Sequence, residues 1–95
     1  MKKLKKGWVE GSVKDFLDLS DADVEYIELR LALSRLLREM RQKLRLTQVE
    51  VAARLDTSQS RLAKMEKADP TVSSDLLLRS LFRLGVTRKE LAEAI

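Results

Sequence analysis

The residues able to do chemistry in this chain are concentrated in one stretch of eighteen, TQVEVAARLDTSQSRLAK, from Thr47 to Lys64. It carries two glutamines (Gln48, Gln59), the hydroxyls of Ser58 and Ser60 on either side of the second, and the cations Arg54, Arg61 and Lys64. A glutamine amide donates and accepts side by side, as an adenine edge requires, while Lys and Arg donate to guanine edges and phosphate oxygens. Such a set suits recognition rather than bond-making. A hydroxyl becomes a nucleophile only when a base activates it, and the 95 residues include neither histidine nor cysteine. With no Gly-rich phosphate loop and no carboxylate cluster in the sequence, no enzyme, zinc site or disulfide is expected, and no cofactor is implied.

Charge points the same way. Leu33 to Ile95 carries thirteen Lys/Arg against eight Asp/Glu, whereas Val13 to Ala32 carries two against six. The two regions should face different partners. A basic excess on a small domain favours a polyanion, though charge alone gives only nonspecific attraction. The opening MKKLKKGW resembles the charged start of a signal peptide, but a charged, glycine-containing WVEGSVKD follows where an apolar run is required. No apolar run approaches the roughly 18 residues that span a bilayer. The chain therefore reads as cytoplasmic, with no membrane partner. Residues 1–11, with Trp8 beside four lysines, read as a flexible basic tail.

The elements that must position the Thr47–Lys64 residues are all helical: one proline and three glycines punctuate the chain, and β-branched alternation is absent. Ser12 can cap a short helix carrying Val13, Phe16 and Leu17 on one side. Ser20 opens the next, with acids in its first turn. From there Val24, Ile27, Leu31, Leu36 or Leu37, Met40 and Leu44 recur at helical spacing, so one long helix runs to about Leu44 unless it breaks near Ala32. Thr47-Gln48-Val49-Glu50 is a capping box, Ser58 caps the following helix, Ser73 or Ser74 opens another that stops at Gly85, and Thr87 to Glu90 is a further capping box. Met40, Met65 and Leu76 to Leu78 belong to the core. The fold class is all-α, a five- to six-helix bundle, with residues 1–11 a tail, 12–32 an acidic helical extension and 33–95 the main domain.

Only Asp56 and Thr57 separate Leu55 from the Ser58 cap, so the two helices must cross steeply. Val51, Ala52 and Leu55 share one face of the first, and Leu62, Met65 and the stem of Glu66 share one face of the second. Ala52 is small enough for the crossing, and Asp56 tolerates the left-handed backbone of the corner. This is the spacing of a helix-turn-helix. Opposite Leu62 and Met65, the second helix presents Ser60, Lys64 and Lys67, with Arg61 on the flank and Gln59 at the tip. That face suits a DNA major groove. Gln48 is placed either to bond a phosphate or to orient Gln59. Arg38, Lys43, Arg45 and Arg54 are surface cations able to reach phosphate, and Arg41 with Glu66 can form an ion pair.

The run RQKLRLTQVEVAARLDTSQSRLAKMEKADPTVS resembles the Xre or lambda-repressor-like helix-turn-helix family, whose pattern is roughly LTQ.ELA..LG.SQS.ISK.E.G...PS. The resemblance spans about Leu33 to Ile95. The stretch VEGSVKDFLDLSDADVEYIELRLALSRLLREMRQ is similar to HigA-type antitoxins, a less diagnostic match. The resemblance implies a lambda-repressor-like domain with an N-terminal helical extension, in which Gln48, Gln59, Ser60, Arg61 and Lys64 approach double-stranded DNA and Arg41 with Glu66 links the first and third helices of the domain; Ser58, at the cap beside them, is counted with the DNA-binding residues. The chain as a whole then reads as a sequence-specific regulator, a repressor acting as a homodimer, with the helix around Leu91 and Ile95 as the expected dimer surface. The alternative is an antitoxin whose acidic N-terminal region meets a toxin. The sequence departs from the pattern twice: Asp56 replaces the usual Gly of the corner, and Ala68 stands where a Gly commonly ends the recognition helix, which predicts a different end there.

Overall fold

Five hydroxyl side chains set the helix starts. Ser20, Thr47, Ser58, Ser73 and Thr87 each have an extended backbone and accept a hydrogen bond from the amide three residues on. They open α1 (Asp21–Lys43), α2 (Gln48–Arg54), α3 (Gln59–Glu66), α4 (Ser74–Arg83) and α5 (Arg88–Ala94). In α1, α2 and α5 the bond is returned, Asp23, Glu50 and Glu90 accepting from the cap's own amide to complete a capping box. The computed structural model describes residues 19–95. The basic tail and the Ser12-capped helix expected ahead of α1 fall outside the described residues, which contain five helices and no strand.

The helix ends are equally uniform. At the end of α1, α2, α3 and α4 the chain turns through a left-handed residue: Arg45 (φ 59°), Asp56 (φ 58°), Ala68 (φ 57°) and Gly85 (φ 101°). Each time the amide of the following residue reaches back across the last turn, Leu46 to the Arg41 carbonyl, Thr57 to Ala52, Asp69 to Lys64 and Val86 to Leu81, at 2.9–3.1 Å. These are Schellman endings, which satisfy carbonyls that a helix otherwise leaves without partners. The expected change of ending at Ala68 does not occur. The loop beyond it is held by Arg30, whose Nη2 donates to the Asp69 carbonyl at 3.0 Å, and by Asp69 Oδ1, which accepts from the Thr71 amide at 2.8 Å. Those contacts fix the turn against the side-chain clash that a left-handed alanine incurs.

The core lies where α1 to α4 converge. Leu33 and Leu37 of α1, Leu62 and Met65 of α3, and Leu77 and Leu81 of α4 have no exposed surface, and Val51, Ala52, Leu55, Val72 and Val86 complete the cluster. Each such side chain stabilises the fold by about 1.5–3 kcal/mol through removal of apolar surface from water. α1 is unbroken through Ala32, but its apolar stripe is not buried along its whole length: Ile27 and Leu31 stay 43% and 50% exposed. The first half of α1 runs past the converging helices, so spacing that suits a core face there meets solvent. Leu29 still packs against the cluster, and polar contacts pin that half as well. The Tyr26 and Ser74 hydroxyls share a hydrogen bond, and Arg30 Nη1 donates to Ser74 Oγ at 3.1 Å. α5 buries no residue and leans on the cluster through Leu91. Among the described residues no helix is long and apolar enough to cross a membrane.

Candidate nucleic-acid interface

α2 and α3 form the corner that the sequence required. Ala52, 2% exposed, lies among the core residues the two helices share, and the left-handed Asp56 makes the turn between them. One contact holding this corner has no signature in the sequence. Arg83, in the last turn of α4, donates from Nη1 to the Leu55 carbonyl at 3.0 Å and from Nη2 to the Arg54 carbonyl at 3.3 Å. A guanidinium thus caps the end of α2 across 28 residues of chain, placing positive charge where the helix dipole favours it. An arginine at the end of an amphipathic helix reads as solvated until the path of the chain is known.

With its inner face fixed by Leu62 and Met65, α3 turns Gln59, Ser60, Arg61 and Lys64 outward, and all four are exposed. Lys67 is exposed as well, just beyond the last helical turn. Ser58 uses its hydroxyl to cap, accepting from the Arg61 amide at 3.0 Å. Ser58, Ser60, Arg61 and Lys64 line a notch together with Thr71 and Val72 of the α3–α4 loop. Thr71 was not among the expected residues; it reaches the notch through tertiary structure, which sequence spacing does not encode. Arg38, Lys43, Arg45 and Arg54 are exposed on the neighbouring elements, Lys43 and Arg45 flanking the α1 ending.

Beneath this face runs a polar chain. Arg41 Nε donates to Glu66 Oε2 at 2.7 Å and Arg41 Nη2 to Glu66 Oε1 at 3.0 Å, a two-pronged pair in which the Glu66 side chain is 3% exposed. The hydrogen bond to Glu66 outweighs burial and holds the Arg41 guanidinium above its usual range, so it stays charged. Arg41 Nη1 also donates to the Leu46 carbonyl at 3.2 Å. From Glu66 the chain continues outward: Gln48 Nε2 donates to Glu66 Oε1 at 3.2 Å, and Gln59 Nε2 donates to Gln48 Oε1 at 2.7 Å. Of the two placements open to Gln48, this arrangement engages it with Gln59. The link from Gln48 inward to Glu66 was not foreseen; the wide sequence separation of Arg41, Gln48, Gln59 and Glu66 hides it.

The outer face combines amide, hydroxyl and cationic donors around one exposed helix, and it carries no carboxylate. Comparison with known proteins agrees with the geometry. No curated protein and no solved structure matches the chain. The sequence pattern of the helix-turn-helix domain does match it, over residues 32–94, which takes in the corner, the polar chain and all but the first half of α1. The chain belongs to the helix-turn-helix domain family.

Proposed function

We infer that the protein is a sequence-specific transcriptional regulator, a repressor of the Xre type, that binds double-stranded DNA as a homodimer. The observation that carries this reading is the outward face of α3: Gln59, Ser60, Arg61 and Lys64 exposed together on a helix whose opposite side is anchored by Leu62 and Met65. In this reading α3 enters the major groove, Gln59 and Lys64 meet base edges, and Gln48, Ser58, Ser60 and Arg61 contact phosphate or hold those that read bases. Arg38, Lys43, Arg45 and Lys67 add phosphate contacts and salt dependence. In a twofold dimer the half-sites lie about 34 Å apart. α5, with Leu91 and the 58% exposed Ile95 at its end, supplies the dimer surface.

The test is selection of duplexes from a random pool, followed by binding to the selected and a scrambled duplex at two salt concentrations. The selected duplex should hold its advantage as salt rises, and Gln59→Ala should relax preference by about 1–3 kcal/mol at one base pair. Equal binding to both duplexes, collapsing with salt, leaves charge attraction alone and overturns the reading.

A second reading is supported by the first half of α1. Ile27 and Leu31 are exposed on one side of a segment rich in acids, a surface suited to a basic protein such as a toxin. On this reading the chain is an antitoxin and DNA binding serves its own regulation.

A further inference from the structure

The amide of Gln48 stands between a buried charge and the exposed tip of α3, and its two ends are not interchangeable. Glu66 is held by Arg41 at both carboxylate oxygens, and a carboxylate paired with a guanidinium only accepts hydrogen bonds. The atom that Gln48 brings to Glu66 Oε1 is therefore its Nε2 donor, which turns its Oε1 toward Gln59. A carbonyl oxygen also only accepts, so Gln59 must meet it with Nε2, as it does at 2.7 Å. Negative charge at Glu66 thus decides, two side chains away, which end of the Gln59 amide is engaged. What remains for a ligand is a carbonyl oxygen with free lone pairs beside one N–H.

An acceptor beside a donor complements adenine, whose N6 amino group donates and whose N7 accepts in the major groove. Guanine offers O6 and N7, both acceptors, and would set its O6 against the Gln59 carbonyl. We propose that Arg41 and Glu66 are positioning residues for base choice: through Gln48 they lock the Gln59 amide in the orientation that selects adenine over guanine. The inference rests on the reading of α3 as the groove-reading helix.

Removing the carboxylate opens the lock. In Glu66→Gln the side chain at 66 donates as readily as it accepts, so Gln48 can invert and present Nε2 to the Gln59 carbonyl. Gln59 is then free to direct two N–H groups at guanine. Gln48→Met removes the middle amide at a half-buried position in the first turn of α2 and leaves the Arg41–Glu66 pair intact. It decides the matter alone if loss of the buried charge unfolds the first variant.

The experiment sequences duplexes selected from a random pool by wild type, Glu66→Gln and Gln48→Met, after circular dichroism has established which variants are folded. The position that depends on Gln59 is identified with Gln59→Ala. Wild type is expected to favour adenine over guanine there by about ten-fold or more, and each folded variant to bring the ratio to within about three-fold of unity, at the same discrimination scale. A purely structural ion pair would lower affinity for all duplexes alike and leave the ratio unchanged, so a folded variant that keeps the wild-type ratio overturns the positioning role. Wild-type selection of another base at the Gln59-dependent position also overturns it and leaves the DNA-binding reading standing. Wild type that selects no sequence removes both.

Discussion

Ala68 holds a backbone conformation that its own side chain resists. At φ 57° the Cβ crowds the following carbonyl, which costs about 1–2 kcal/mol for an L residue. Asp56 and Arg45 adopt nearly the same angle. Aspartate tolerates it better than most residues, but alanine has no polar group with which to compensate. Gly85 makes the same turn at the end of α4 without that cost. Ala68→Gly should therefore stabilise the protein. Part of the relief is offset by the greater freedom of glycine in the unfolded chain, leaving a net gain of about 0.5–1 kcal/mol, or about 3–6 °C in melting temperature for a domain of this size. Thermal melts of the two proteins at equal concentration check it; an unchanged or lower melting temperature would mean that the loop contacts have already removed the strain.

The helices depend on their caps, and the capping boxes that open α1 and α5 depend on pH. Asp23 and Glu90 are held below the usual carboxylate range chiefly by hydrogen bonds from the amides of Ser20 and Thr87. Asp69 is lowered chiefly by the Thr71 hydroxyl. A carboxyl whose folded pKa is depressed contributes stability that is fully present above its unfolded value, near 3.8 for Asp and 4.5 for Glu, and that is lost as pH falls through the folded value. The melting temperature should accordingly be level from about pH 7 to 5.5 and decline below about pH 4, and Glu90→Gln, which keeps an acceptor but cannot titrate there, should flatten part of the decline. A melting temperature unaffected by acid would show that these carboxyls contribute nothing to stability. These starts were legible because a cap is local: Ser20, Thr47, Ser58 and Thr87 announce themselves within four residues. Endings were less so, since nothing near Ala68 in sequence reveals the Arg30 contact that holds its loop. Within the site, the outer residues of α3 followed from periodicity alone. The guanidinium of Arg83 on α2 and the bridge from Gln48 to Glu66 join residues 18 or more positions apart, so they exist only once the helices have packed.

Across the whole molecule, stability is concentrated where α1 to α4 meet and thins toward both ends of the described chain. Leu37 has no exposed surface and belongs to the cluster that joins these helices, whereas α5 has no fully buried residue and touches the cluster only through the half-buried Leu91, and the first half of α1 leaves Ile27 and Leu31 in solvent. Leu37→Ala should cost about 2–5 kcal/mol, a large share of what a domain of this size possesses. Hydrogen exchange distinguishes the regions: amides of α2, α3 and the second half of α1 should lose protection by that full amount, while those of α5, which open locally, should exchange at the wild-type rate. Equal loss of protection in α5 would show instead that it unfolds only with the core. The phenol of Tyr26 gives an independent view of the other end. It is the only tyrosine in the chain, and its hydroxyl is bonded to Ser74, chiefly for which its pKa lies below the usual value. Its ultraviolet difference spectrum therefore reports, without any introduced label, whether the acidic half of α1 is docked on α4 or has swung free.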